Sequence, residues 1–335
     1  MSISRFSSRA VIAAGLGFAL TAVAQAASFT VERVTFKSGG ETLVGQLYIP
    51  SGVNKAKPTE AAVVTGAWMT IKEQMAGRYA KELAERGIVA LAFDFRSWGE
   101  SGGQPRAMEN PKTKTEDIRA AVAFLGTRGE VKKNAISGLG LCASAGYMAE
   151  AAATSNMRSV ALVAPWLHDR AIVNAVYGGE QSVQNLINVS REAEKKFKTT
   201  GQATLLKAAS TTDKTALMFN VPYYTEADRG MIPQWENKFN VASWEGWLTL
   251  DAMPTAPRIK QPLLMVHSDA AAIPNGARQF FSAVQAPKKD LWLSDVNQFA
   301  FYDGAAPVKQ AADAVATHFR APNTVMPQVS LLTAQ

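Results

Sequence analysis

The sequence predicts an α/β protein in which a mostly parallel sheet is covered by helices on both faces. Short segments that are apolar throughout alternate with segments of helical periodicity, as is typical of strands buried between two helical layers. The chain has 335 residues, of which 47% are hydrophobic, enough for one large core. Residues 166–254 break the alternation, which indicates a helical cap inserted into that core.

The N-terminal segment is predicted to be a cleavable signal peptide. Arg5 and Arg9 precede the apolar run 10–23, and the Ala-Gln-Ala triplet that follows fits cleavage after Ala26. The run is shorter than the ~20 residues that a membrane span needs. We therefore expect a periplasmic or secreted protein that lacks residues 1–26 and has no stable membrane span.

The first part of the core, residues 27–165, is predicted to begin with a hairpin. Alternating polarity predicts strands at 29–36 and 43–49, and apolar runs predict buried strands at 61–65, 88–93 and 159–164. Met75, Tyr79 and Leu83 share one helical face. Thr113 and Glu116 match a capping box ahead of a helix at 117–125.

The cap, residues 166–254, is predicted to contain an amphipathic helix at 181–198 and four of the seven tryptophans: Trp166, Trp235, Trp244 and Trp247. Their rings fit either a substrate pocket or the internal packing of the cap. The second part of the core, residues 255–322, resumes with strands at 262–267 and 290–293 and helices at 276–284 and 308–319. Residues 323–335 form a tail without a strong pattern.

The stretch from Ile136 to Tyr147 has the layout of a nucleophile elbow. A strand reaches Cys142 at a sharp turn and is followed by an alanine-rich helix at 145–154, with Gly140-x-Cys142-x-Ser144 in place of the usual Gly-x-Ser-x-Gly. The start of the helix is expected to lower the pKa of the Cys142 thiol and favour the nucleophilic thiolate. Two alternatives stay open: Cys142 as a buried apolar residue, and Ser144 as the nucleophile in a shifted frame.

Composition argues against several other classes of protein. Basic residues are scattered rather than grouped with aromatic residues, so nucleic acid is not an expected partner. The three histidines lie far apart in the sequence and show no metal-ligand spacing. A single cysteine allows no internal disulfide. We expect no metal or other cofactor, and the oligomeric state stays open.

Together with the elbow, four further segments resemble the α/β-hydrolase superfamily over about residues 29–320. They are Lys72-Glu73-Gln74, the loop from Asp94 to Gly103, Asn110-Pro111 and Phe301-Tyr302-Asp303. The closer resemblance is to the dienelactone-hydrolase-like branch and to the related polyketide-transferase-like proteins. It implies an α/β-hydrolase fold with Cys142 as nucleophile and Asp269 as orienting acid. It also implies an oxyanion hole made by the N–H of Ala143 and that of Ala67 or Trp68.

The histidine base that the resemblance implies is absent from its place, where this chain has Gln298. A glutamine side chain cannot accept a proton near neutral pH. Four replacements stay open: His168, His267, Glu73, or a Cys142 that is already a thiolate. Each side chain also has an ordinary structural interpretation, either in packing, at the surface or in the first turn of a helix.

These observations lead us to expect an exported enzyme that transfers an acyl group through Cys142. Its small-molecule substrate would be an ester, a thioester or a lactone, and water or another acceptor would release the acyl group. The alternative is a non-catalytic ligand-binding protein that has kept the cleft and the cap and lost the base.

Overall fold

The computed structural model describes residues 28–324. The predicted signal peptide and the end of the predicted tail lie outside the described residues. Within the described range, no helix is long and apolar enough to cross a membrane.

The centre of the molecule is one sheet of eight strands. These strands are β1 (Phe29–Ser38), β2 (Glu41–Pro50), β3 (Thr59–Thr65), β4 (Val89–Phe93), β5 (Val131–Leu141), β6 (Val160–Val163), β11 (Leu263–His267) and β12 (Lys288–Trp292). Four short strands lie outside it: β7 (Leu205–Lys207), β8 (Ala209–Ser210), β9 (Met218–Phe219) and β10 (Lys238–Asn240).

The strands of the large sheet follow the order β1-β2-β4-β3-β5-β6-β11-β12. β2 pairs antiparallel with β1 and β4, and all the other neighbours pair in parallel. Strands β4, β6 and β11 are buried along their whole length, which explains their unbroken apolar sequences. The predicted fold class is confirmed. The carboxyl ends of the parallel strands form one edge, where such sheets bind ligands.

Ten helices accompany the strands in the described residues. Those of the core are α1 (Met75–Glu85), α2 (Pro111–Gly126), α3 (Ser144–Ala153), α8 (Pro274–Ala283), α9 (Ala300–Asp303) and α10 (Ala305–Arg320). Those between β6 and β11 are α4 (Arg170–Val176), α5 (Glu180–Thr200), α6 (Pro222–Thr225) and α7 (Trp244–Leu248).

The start of α2 corrects a prediction. The helix begins at Pro111 rather than at residue 117, because the Asn110 side chain accepts a hydrogen bond from the Thr113 N–H at 3.2 Å. Asparagine before the helix and proline in its first turn are a strong start signal. Thr113 and Glu116 therefore lie inside the helix and do not cap it.

Residues 166–254, here called the cap segment, are tied to the loop that follows β3. The Trp235 indole N–H donates to the Met69 carbonyl at 2.7 Å, and the Gln74 side chain donates to the Gly230 carbonyl at 2.7 Å. The Glu109 N–H also donates to the Ser243 hydroxyl at 2.9 Å. These bonds hold the cap segment against the edge of the sheet where the strands end.

Candidate active site

Cys142 lies at the turn between β5 and α3 with a φ of +54°, a conformation that is strained for a residue with a side chain. A Cβ atom placed on Gly140 would lie 2.8 Å from the Cβ of Met148 and 2.9 Å from the Cα of Ala145. Because only glycine permits this approach, the helix can cross the strand immediately after the turn. This turn places the Cys142 side chain at the end of the strand.

Ser144 supports this turn through its side chain. Its hydroxyl donates to the Leu141 carbonyl at 3.0 Å and accepts from the Leu141 N–H at 3.2 Å, and the residue is buried. Ser144 does not line the cavity described below. The shifted frame, in which Ser144 is the nucleophile, is therefore not what the geometry supports.

Two backbone amides face the cysteine sulfur. Burial raises the pKa of Cys142, and hydrogen bonding from the N–H groups of Ala143 and Trp68 beside the sulfur counteracts this rise. The Ala67 N–H instead donates to the Met75 sulfur at 3.4 Å. The sequence left Ala67 and Trp68 as alternatives for the second amide. The structure brings the Trp68 amide to the site beside that of Ala143. Two amides beside a nucleophile are the donors that an oxyanion hole requires.

A buried carboxylate, absent from the predicted site, anchors the loop that carries Trp68. The neighbouring residue Met69, with a φ of +62°, donates its N–H to the Glu109 Oε2 at 3.1 Å. Glu109 is fully buried, contacts the Lys114 Nζ at 2.7 Å and accepts from the Tyr147 hydroxyl at 2.9 Å. Since Tyr147 belongs to α3, this carboxylate connects the amide-bearing loop to the nucleophile helix.

Gln298 and Tyr302 occupy the side of the sulfur where the family has its base, and both are within hydrogen-bonding reach of Sγ. The Gln298 Nε2 donates to the Ala164 carbonyl at 2.9 Å and to the Tyr302 hydroxyl at 3.0 Å. Its Oε1 accepts from the Ala272 N–H at 3.0 Å. The amide is therefore fixed, both protons of its nitrogen are donated to protein oxygens, and it cannot accept the thiol proton.

Burial dominates the acidity of the sulfur. Loss of water raises the pKa of Cys142 above its usual range, and the hydrogen bonds from Tyr302, Ala143, Trp68 and Gln298 offset only part of that shift. Burial therefore acts against the thiolate that was expected from the start of α3. Burial likewise raises the pKa of Tyr302 well above its usual range, so Tyr302 stays a hydrogen-bond donor.

Neither candidate histidine is placed as a base. The Nδ1 of His168 accepts from the Trp166 indole at 2.8 Å, so its Nε2 carries the proton and faces the Trp247 carbonyl at 3.2 Å. His267 is fully buried and packs edge-on against Trp292, with ring centroids 5.1 Å apart. Burial lowers the pKa of each to about 4, and neither lines the cavity.

The two carboxylates proposed from the sequence are also held elsewhere. Asp269 is exposed and binds Arg278 at 2.8 Å, because it projects outwards from the turn after β11. Glu73 contacts the Lys72 Nζ at 2.7 Å, and Lys72 also contacts the buried Asp94 at 2.8 Å. The structure therefore does not assemble the triad of Cys142, a histidine and Asp269.

A cavity of about 620 Å³ opens beside the sulfur. Its walls come from the cap segment, the loop after β3, the elbow and the loops after β11 and β12. The aromatic lining residues are Trp68, Trp166, Tyr177, Tyr224, Trp244, Trp247, Phe299 and Tyr302. The cap tryptophans Trp166, Trp244 and Trp247 thus line the cavity, whereas Trp235 is buried in packing.

The sheet, the elbow and the two amides define an α/β hydrolase. The sequence pattern of the family described as "Serine aminopeptidase, S33" matches residues 69–295, more than half of the chain. The chain belongs to this family, with a cysteine at its elbow.

Three relatives show how far this similarity extends. Protein PA2218 of Pseudomonas aeruginosa is 30% identical over 283 residues, which cover 81% of this chain and 76% of that one. Its crystal structure has a TM-score of 0.75 at 24% identity and covers 92% of this chain and 99% of that chain. Protein YcjY of Escherichia coli is 43% identical over 111 residues, only 36% of its own length. The thiohydrolase aneE of Aspergillus aculeatus is 23% identical over 80% of this chain and 86% of its own.

Proposed function

We propose that this chain is an exported hydrolase that transfers an acyl group from a thioester, an ester or a lactone through Cys142. The observation that carries this proposal is the Cys142 thiol, held at a strained turn and facing two backbone amides at the wall of an aromatic cavity. The resemblance to a protein named a thiohydrolase favours thioesters among these substrates.

In the first step, the sulfur attacks the substrate carbonyl carbon and a carbon–sulfur bond forms. The carbonyl electron pair moves to oxygen, where the N–H groups of Ala143 and Trp68 would stabilise the negative charge. When the intermediate collapses, the bond to the leaving group breaks and the leaving group takes up the proton that the thiol has lost. Water or another acceptor then attacks the acyl-enzyme, which restores the thiol and releases the acyl group.

The donor-only surroundings of the sulfur restrict the substrate. Because no side chain beside Sγ can take the thiol proton, the leaving group must depart without strong assistance. A thiol or a phenol leaves at neutral pH far more readily than an alcohol or an amine, since its anion is less basic. We therefore expect thioesters and aryl esters to be turned over, and peptides to be left intact.

Intact-mass spectrometry of the full chain tests this proposal. The protein is mixed with the N-acetylcysteamine thioester of benzoic acid and quenched in acid at short times. The expected result is a benzoyl adduct on Cys142 that forms and decays as thiol is released, and that is absent from a Cys142→Ala variant. Equal thiol release by the wild type and Cys142→Ala would refute the proposal.

Ligand binding without turnover is the second candidate, and the fixed Gln298 amide favours it. A protein of this kind would hold the ester reversibly beside a thiol of raised pKa. Saturable quenching of tryptophan fluorescence by the thioester, without an adduct or thiol release over hours, would establish this function instead.

We also propose that residues 166–254 act as a cap over the cleft and that the signal peptide is removed after Ala26. The cap proposal is supported by the bonds from Trp235 and Gly230 to the loop after β3. Export is supported by the N-terminal charge and apolar pattern. If the full-length chain is expressed in a bacterium, periplasmic protein should begin at Ala27. Recovery of only uncleaved protein from the cytoplasm would contradict export.

A further inference from the structure

We infer that the cavity selects an uncharged, planar aromatic acyl group that carries an oxygen acceptor. This inference names a substrate class for the proposed acyl transfer and rests on that function. It comes from three properties of the wall, namely its charge, its aromatic side chains and its free hydrogen-bond donor.

The cavity wall formed by residues 28–324 carries no formal charge. Each of the 18 residues that line it is apolar, aromatic or a neutral polar residue. The nearby charged groups are paired with one another, for example Asp269 with Arg278 and Glu109 with Lys114. An ionised group moved from water into such surroundings loses its hydration without gaining a partner, at a cost of several kcal/mol. The acyl group that enters should therefore be neutral.

The shape of the wall favours a flat ligand. Trp68 packs against Trp244 and Trp247 with ring centroids 5.6 and 5.3 Å apart, and Trp166 lies 6.3 Å from Trp247. The Trp247 indole is fixed by its bond to the Tyr177 hydroxyl at 2.7 Å. Rigid aromatic faces contact a planar ring over a large area at little entropic cost. A volume of about 620 Å³ accommodates one or two fused rings.

One free donor on a lining residue, the Tyr177 hydroxyl, calls for an oxygen acceptor on the ligand. The Trp68 indole nitrogen also has no partner among the described residues, but it is closed off from the cavity by packing and cannot serve a ligand. The hydroxyl of the half-buried Tyr177 accepts from Trp247, and its own proton has no acceptor within residues 28–324. Burial raises the pKa of Tyr177 to about 12, so this proton is retained. A carbonyl or ether oxygen on the acyl group would accept a hydrogen bond from this hydroxyl.

A set of four 4-nitrophenyl esters tests the inference on the wild-type chain. The acyl groups are 4-acetylbenzoyl, 4-carboxylatobenzoyl, 4-isopropylbenzoyl and trans-4-acetylcyclohexanecarbonyl, and each kcat/KM is divided by the uncatalysed hydrolysis rate. We expect the 4-acetylbenzoyl ester to exceed the carboxylate by at least about 100-fold. It should exceed the cyclohexane ester by about 10-fold and the isopropyl ester by about 3-fold. A carboxylate ester within threefold of the acetyl ester would overturn the inference.

Binding to Cys142→Ala separates this result from failure of the proposed function. The probes are the methyl ketones of the same four acyl groups, followed by quenching of tryptophan fluorescence. The same order of affinity, with no ester turnover by the wild type, would support the acyl class and reject the acyl transfer. Turnover of the esters without any preference among them would reject the acyl class and leave the acyl transfer standing.

Discussion

The two sides of the cleft differ in how closely they follow the arrangement expected of an α/β hydrolase. On the nucleophile side, Cys142 sits at a strained turn and faces the amides of Ala143 and Trp68. On the base side, the Gln298 amide is bonded to Ala164 and Tyr302 and cannot take a proton, and Asp269 is bound to Arg278 at the surface. The groups that stabilise a carbonyl oxygen are thus separable from the group that removes a proton. This chain has the geometry for stabilising the oxygen.

This difference explains why the site surrounds a protonated thiol. Burial in an uncharged wall raises the pKa of Cys142. Hydrogen-bond donors stabilise the thiolate and lower this pKa, but by less than burial raises it. A histidine base would usually resolve this conflict by taking the proton. Without one, the rate at neutral pH should be set by the small fraction of thiolate.

The largest effect should come from loosening the loop that carries the Trp68 amide. This loop is anchored by the hydrogen bond that the Met69 N–H donates to Glu109. We compare two double variants that both remove the buried charge pair: Glu109→Leu/Lys114→Met and Glu109→Gln/Lys114→Met. The leucine variant should lower kcat about 30-fold with little change in KM, because the Trp68 amide loses its fixed orientation. The glutamine variant keeps an acceptor and should stay within about threefold of the wild type.

Thermal unfolding serves as the control for this pair. Both variants lack the same two charges, but leucine also leaves the Met69 N–H and the Tyr147 hydroxyl without an acceptor. The leucine variant should therefore melt several degrees below the glutamine variant, and kcat is compared well below both melting temperatures. Equal kcat values in the two variants would show that Glu109 acts on stability and does not position the amide.

The next effect concerns the base side. Gln298→His places an imidazole beside the sulfur, and we expect kcat/KM at pH 7 to increase about 10-fold as thiolate forms at lower pH. Asp269 stays bound to Arg278, so the gain should fall short of that of a complete triad. Gln298→Asn, which shortens the amide without adding a base, is the matched control. An unchanged pH profile in Gln298→His would show that this position does not govern the thiol.

The smallest effect should come from Tyr302→Phe, which removes a hydrogen-bond donor from the sulfur and an acceptor from the Gln298 Nε2. We expect kcat/KM at pH 7 to decrease about fivefold, because the pKa of Cys142 rises further when it loses the hydrogen bond. At high pH, where the thiol is ionised in both proteins, the difference should disappear. A decrease of equal size at every pH would instead assign Tyr302 to substrate binding.

The sequence predicts the sheet better than the surroundings of the sulfur. Strands such as β4 and β6 are buried on both faces, so their sequences are apolar throughout and readily identified. The strands β7 to β10 have only two or three residues each and show no period. Cys142 and Gln298 were found because the elbow and the motif before Phe301 have fixed sequence patterns.

Other site residues could not be found in this way. Glu109 lies 40 residues from Met69 in the chain, and only the folded sheet brings the two together. Tyr302 belongs to a recognised motif and lies one helical turn beyond Gln298, which is the one signal that could have assigned it to the site. The structure places Asp269 at the surface with Arg278, because a position after β11 does not determine which way its side chain turns.

The pH dependence of the wild type tests the absence of a base most directly. kcat/KM for a thioester and the rate of iodoacetamide labelling of Cys142 are measured from about pH 6 to pH 10, on either side of the usual thiol pKa of about 8.5. We predict that both rates rise together throughout this range, with a midpoint above that of a free thiol, because burial raises the pKa of Cys142. A plateau of both rates near pH 7 would reveal a base beside the sulfur and contradict the site described for this chain.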